Sequence, residues 1–138
     1  MKFKTPEIEI EYLNTSLFLQ EMADKLDAIS KATCGQEIII TRIKEHVCGD
    51  SGVHEANRAF DFRDEYDGGR LYTDDNVKKL CDYMNMLYPR NDGKPTMIHH
   101  SFNGGPLHFH CQLALYTTVY EPRESEKITK LPGEPARE

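Results

Sequence analysis

An α+β domain with a small antiparallel sheet packed by two main helices is the fold class that three observations predict. Apolar residues recur at helical spacing in two stretches, Leu17, Phe18, Met22, Leu26 and Ile29, then Val77, Leu80, Cys81, Met84 and Tyr88. Short β-branched or alternating runs separate and follow them. The resulting order is helix, strand, loop, strand, helix, hairpin, and 138 residues without internal repeats suffice for one core.

The elements follow in turn. Residues 7–12 alternate glutamate with apolar side chains, a period of two that predicts a short edge strand or extended arm. Asn14 reads as the N-cap of a first helix over 15–32, with Leu13 and Phe18 at the positions of a hydrophobic staple and Cys34-Gly35 as its stop. Residues 37–42, Glu-Ile-Ile-Ile-Thr-Arg, are apolar on both faces and predict a central buried strand. Residues 43–58 lack a period and form a loop; 59–63 alternate and form a strand; 64–72, with Asp67-Gly68-Gly69, form a turn. Thr73 caps a second helix whose first turn carries Asp74 and Asp75, matching the helix dipole, and Pro89 ends it. Residues 96–101 and 107–119 are strand candidates joined through a Gly-Gly-Pro turn, which predicts a hairpin. The domain is expected over 1–120, and the polar, proline-bearing 121–138 as a mobile tail.

Charge narrows the function. The balance is 17 Lys+Arg against 23 Asp+Glu, a net of −6, with no basic stripe, so nucleic-acid binding is not expected. No apolar run approaches the ~20 residues of a membrane span, and the first residues lack the apolar core of a signal peptide. A chain made in the cytoplasm, without membrane insertion, is the expectation. Cys34, Cys48, Cys81 and Cys111 are scattered without Cys-x-x-Cys spacing and are expected as free thiols; on a strand, Cys111 points away from the neighbouring histidines.

Histidines concentrate near one carboxylate: His46 and His54 before Asp61, then His99, His100, His108 and His110. Zinc takes neutral imidazole and carboxylate ligands, and a catalytic site uses three of them while one position stays open. His54 and Asp61 with one C-terminal histidine supply such a set. His108 and His110 lie two apart on a strand, project from one face, and are separated by about 6.6 Å along it; one can bind metal while the other stands beside a metal-bound water. His99 and His100 must point to opposite faces, so at most one can join, and neither is assigned to the site.

These residues resemble a family. Residues 51–61, Ser-Gly-Val-His-Glu-Ala-Asn-Arg-Ala-Phe-Asp, resemble the Ser-x-His-x-x-Gly-x-Ala-x-Asp signature of zinc D-alanyl-D-alanine carboxypeptidases and dipeptidases and of phage L-alanyl-D-glutamate endopeptidases. His108-Phe109-His110 resembles the closing His-x-His motif of the wider lysostaphin, D-Ala-D-Ala peptidase and hedgehog superfamily. The resemblance covers roughly residues 38–113. It implies the hedgehog/D-Ala-D-Ala peptidase-like fold, zinc held by His54, Asp61 and His110, and His108 as catalytic base or transition-state stabiliser. It also implies Arg42 binding a substrate carboxylate or carbonyl, and Ser51 as a loop-organising or substrate-side hydrogen bond.

Two departures stand out. Asn57 replaces the motif glycine, a residue that tolerates positive φ better than most. His-x-His stands where many close relatives carry Glu-x-x-His, and a histidine with an unperturbed pKa near 6.5 can serve as the base. The resemblance thus implies hydrolysis of peptidoglycan stem peptides by an endolysin or carboxypeptidase. Such a chain reaches the wall on release or as part of a virion, and its oligomeric state stays open. Two alternatives share the residues: a zinc-binding domain of the same fold without turnover, and a non-haem iron enzyme using two histidines and a carboxylate.

Overall fold

Residues 1–43, 59–101 and 104–113, with positions 125, 128, 129 and 131, are described by the computed structural model. The elements are β1 (Lys2–Phe3), α1 (Pro6–Leu13), α2 (Leu17–Cys34), β2 (Ile39–Arg42), β3 (Ala59–Arg63), β4 (Glu65–Tyr66), β5 (Gly69–Arg70), α3 (Asp74–Leu87), β6 (Met97–His100) and β7 (His108–Gln112). Strands β1-β2-β3-β7-β6 form one sheet in that order, and β4 and β5 form a separate small hairpin.

The α+β class stands, with corrections. The sheet is mixed, because β1 pairs with β2 in parallel while the other neighbours are antiparallel. A parallel pair needs a long crossover, and α1 with α2 supplies it. The helix α1 replaces the strand expected over 7–12. Thr5 Oγ1 accepts the Ile8 amide at 3.2 Å and Pro6 opens the first turn, so a strong helix start overrides the period of two. Asn14 closes this helix rather than opening the next, and Ser16 caps α2 by accepting the Leu19 amide at 3.2 Å. With the start moved, the buried face of α2 is Leu19, Met22, Ala23 and Leu26, while Leu17 and Phe18 are exposed. Gly35, at φ 67°, ends the helix in the left-handed conformation, donating its amide to Lys31.

Thr73 caps α3 as expected, and Leu80 and Met84 are its buried residues. The expected turn over 64–72 contains the β4–β5 hairpin. The C-terminal hairpin forms between β6 and β7; β7 ends at Gln112, and residues 114–119 of the longer strand expected there lie outside the described residues. So do all of 44–58 and most of 121–138. At Ile128, the backbone donates to and accepts from the Asn14 amide, both at 2.7 Å. Cys34, Cys81 and Cys111 are free thiols.

Alternation on β3 and β7 divides the sheet into two faces. Phe60, Phe62, Phe109 and Cys111 are fully buried in the core with the apolar faces of α2 and α3. Phe62 stacks on Phe109 with centroids 4.3 Å apart, and Tyr72 meets both rings edge-on. Asp61, His108 and His110 alternate with these residues and occupy the opposite face.

Asp64 locks the elements around the end of β3. Its fully buried carboxylate accepts from Arg70 Nε and Nη2 at 3.1 and 2.9 Å and from the Leu71 and Tyr72 amides at 3.1 and 3.0 Å. His99 Nε2 lies 2.7 Å from it. Burial alone pushes this carboxyl up, but His99, Arg70 and the Tyr72 amide together hold it below the usual aspartate range. The folded state therefore binds the proton less readily than the unfolded chain, and the stabilisation is full above the unfolded pKa and fades below it. Asp64→Asn is expected to cost about 3 kcal/mol at pH 7, the scale for breaking a buried ion pair. Urea unfolding should show the gap from wild type closing as the pH falls below ~4; equal midpoints at pH 7 would remove Asp64 from this role.

Candidate active site

Three neighbouring strands bring Arg42, Asp61, His108 and His110 onto one sheet face. Asp61 lies opposite His110 across the β3–β7 ladder, and Arg42 lies opposite Asp61 across β2–β3. The placement of Arg42 depends on a register shift. Ile40 faces Phe62 but Arg42 faces Asp61, so β2 advances two residues while β3 advances one. Such a bulge reverses the alternation. Ile38 and Ile40 point into the core, whereas Arg42 turns to the opposite side and reaches Asp61.

Asp61 is the centre of the cluster and only 5 % exposed. Its Oδ1 is 2.8 Å from His110 Nδ1, and its Oδ2 is 3.0 Å from Arg42 Nε and 3.6 Å from His108 Nε2. The second ring nitrogen of His110 lies 2.6 Å from Gln112 Oε1. The second nitrogen of His108, Nδ1, lies 3.0 Å from the Pro106 carbonyl oxygen. A carbonyl only accepts, so His108 Nδ1 is the donor, and in the neutral ring Nε2 carries the lone pair towards Asp61.

His100 was not assigned from the sequence, yet it belongs here. Its ring lies 4.6 Å from that of His108 and 6.0 Å from that of His110, between centroids. Burial, followed by the neighbouring His108 and His110, pushes its pKa down and keeps the ring neutral. The signal was the hairpin itself: a turn centred on Gly104 sets His100 opposite His108. His99 alternates to the other face and binds Asp64, so the two histidines do part as expected. Cys111 also points away from the site, and burial holds its thiol far above the ordinary range. Gln112 is the second residue missed, two beyond His110 on the same face of β7.

His54 and Ser51, the remaining predicted site residues, lie outside the described residues. Among the described residues no group of three His, Cys, Asp or Glu side chains is arranged to hold a metal ion. Asp61 and His110 stand at hydrogen-bond distance and not at the spacing of two zinc ligands. Two ligands of a tetrahedral zinc, each at ~2.1 Å, stand ~3.4 Å apart, so their 2.8 Å contact needs a small opening. Imidazole nitrogen and carboxylate oxygen are donors that zinc accepts.

The Arg42–Asp61 ion pair couples the two strands. In a double-mutant cycle, Arg42→Ala and Asp61→Ala are expected to be non-additive in unfolding free energy by about 1–3 kcal/mol. Strictly additive losses would show that the pair contributes nothing.

No helix among the described residues is long and apolar enough to cross a membrane. No protein-family model, curated protein or solved structure matches the chain.

Proposed function

We propose that the chain is a zinc-dependent peptidase acting on peptidoglycan stem peptides, as an L-alanyl-D-glutamate endopeptidase of the endolysin type or a D-Ala-D-Ala carboxypeptidase. The observation that carries the reading is Asp61 opposite His110, with Oδ1 and Nδ1 2.8 Å apart and His108 on the same face. Asp61 is the last residue of the first motif read in the sequence and His108 and His110 are the ends of the second, which supports the reading.

Asp61 and His110 are assigned as ligands, with His54 as the third. Bound zinc would polarise the scissile carbonyl as a Lewis acid and acidify a water molecule. The chain's own residues supply the rest. The Pro106 carbonyl fixes His108 with its Nε2 lone pair towards the cluster, the tautomer a general base requires. Having taken the proton at Nε2, the same ring can return it to the leaving amine. Arg42 braces Asp61 through Nε, and its guanidinium is assigned to the substrate carboxylate or carbonyl oxygen, where positive charge favours the developing oxyanion. Ser51 is assigned to a hydrogen bond on the substrate side.

The test is metal analysis of the purified chain followed by incubation with peptidoglycan. New amino termini should appear with wild type and disappear with His54→Ala, which should also lose zinc. His108→Ala should keep zinc and lose about 100- to 10,000-fold in rate, the usual contribution of a general base. Stoichiometric zinc with no cleavage of any stem peptide would favour a non-catalytic zinc domain, and iron in place of zinc would point to the oxygenase-type site. An unchanged rate in Arg42→Ala would reject its substrate role.

A further inference from the structure

Arg63 ends β3 on the same face as Asp61, two residues away and opposite His108 across the ladder. Its guanidinium lies over the Tyr66 ring, 4.1 Å from the centre. Among the described residues no carboxylate pairs with it. The acids nearest in sequence are already engaged: Asp61 Oδ2 is 3.0 Å from Arg42 Nε, Asp64 Oδ2 is 2.9 Å from Arg70 Nη2, and Glu65 Oε1 accepts the Leu107 amide at 3.2 Å. The ring that carries the cation is itself fixed. Tyr66 pairs with Gly69 in a hairpin whose two central residues, Asp67 and Gly68, have φ of 53° and 78°, the positive values that let a two-residue turn follow the strand twist. A guanidinium resting on an aromatic face keeps the N–H donors around its rim available. Arg63 is thus held at the edge of the polar cluster with its donors unspent.

We propose that Arg63 is a specificity-determining residue that binds a substrate carboxylate, the one carried by the residue on the amine side of the bond that is cut. The inference rests on the peptidase reading above and names the contact that selects its substrate. Both cleavages considered there put a free carboxylate at that place. In L-Ala-D-Glu it is the glutamate carboxyl that does not continue the chain, and in D-Ala-D-Ala it is the C-terminus. The spacing fits. Asp61 and Arg63 stand about 6.6 Å apart along β3, the length of two extended peptide residues. A bond presented to Asp61 and the histidines therefore brings the next carboxylate within reach of the guanidinium, whose fork matches both oxygens of a carboxylate at once. Arg42 is placed differently, because its Nε is committed to Asp61. The division leaves the scissile carbonyl oxygen to Arg42 and the carboxylate to Arg63.

The experiment gives the full chain three stem pentapeptides: one with the glutamate and C-terminal carboxylates both free, and two in which one or the other is amidated. Amidation next to the cleaved bond should lower the wild-type kcat/KM about 10- to 100-fold, the scale of a hydrogen-bonded pair of charged groups. Which of the two amides has this effect tells which carboxylate Arg63 holds. Arg63→Met keeps the length and removes the charge, so it should lower kcat/KM on the free peptide by a similar factor and erase the preference for acid over amide. Arg63→Lys, with charge but no fork, should fall between the two. The thermal midpoint of Arg63→Met should stay within about 2 °C of wild type. Wild type that cuts acid and amide equally, or Arg63→Met that keeps the full preference, would overturn the proposal. A large fall in the midpoint with the preference intact would make the role of Arg63 structural. Wild type that cleaves nothing would sink the peptidase reading, and calorimetric titration with the same three peptides would then decide the role of Arg63. Tighter binding of an acid than of its amide, lost in Arg63→Met, would sustain it, whereas equal binding, or no binding, would sink the inference as well.

Discussion

The register of β3 on β7 is the constraint from which the core and the site both follow. Phe62 opposite Phe109 and Asp61 opposite His110 are adjacent steps of one antiparallel ladder. The first puts a stacked aromatic pair under the helices, and the second puts a carboxylate against an imidazole on the other face. A slip of one residue would exchange the faces, burying Asp61 and His110 among apolar side chains and exposing the phenylalanines. Hydrophobic burial therefore enforces the geometry of the polar cluster, although no atom of the cluster belongs to the core. That coupling explains how a small sheet can hold titratable groups within hydrogen-bonding distance.

Two aspartates at the end of this ladder divide the work. Asp64 is satisfied from several directions at once, by a guanidinium, two backbone amides and His99. Its neighbours come from β5, the approach to α3, and β6, so it joins the pieces that close one end of the core. Asp61 is also buried, but its partners are Arg42 and two histidines, one of them at 3.6 Å. Two imidazoles, which can give or take protons, face Asp61, whereas one faces Asp64 and its other partners, two backbone amides and a guanidinium, can only donate. The arrangement around Asp64 suits a structural anchor, and that around Asp61 suits chemistry.

The legibility of the chain divides along the same line. Strand β3, the cap and buried stripe of α3, and the β6–β7 hairpin were readable because local pattern and tertiary role agree there. Residues 7–12 depart from their period of two because Thr5 and Pro6 provide a stronger helix start. The parallel strand β1 has only two residues and carries no sequence pattern at all. In the site, Asp61, His108 and His110 were legible from motif and alternation. His100 is not legible in the sequence, because a His-His pair gives no hint of which member faces inward until the hairpin register is known. Gln112 was invisible for a different reason: its part depends on the ring orientation of its neighbour, which spacing does not encode.

The net charge of −6 also takes on a different meaning once the residues are placed. Around Asp61, the described residues of that sheet face include Arg42 and Arg63 with His100, His108 and His110. Counting the histidines as neutral, two arginines against one aspartate make the patch +1 in a chain that is acidic as a whole. Arg63 is held at the edge of this patch with its guanidinium 4.1 Å from the centre of the Tyr66 ring. Among the described residues, that face thus offers an anionic ligand a local excess of positive charge in a chain whose total is negative. Carboxylates recur along a stem peptide, so under the proposed function the field would select where on the protein the substrate settles, and the pairings around Asp61 would select how it lies.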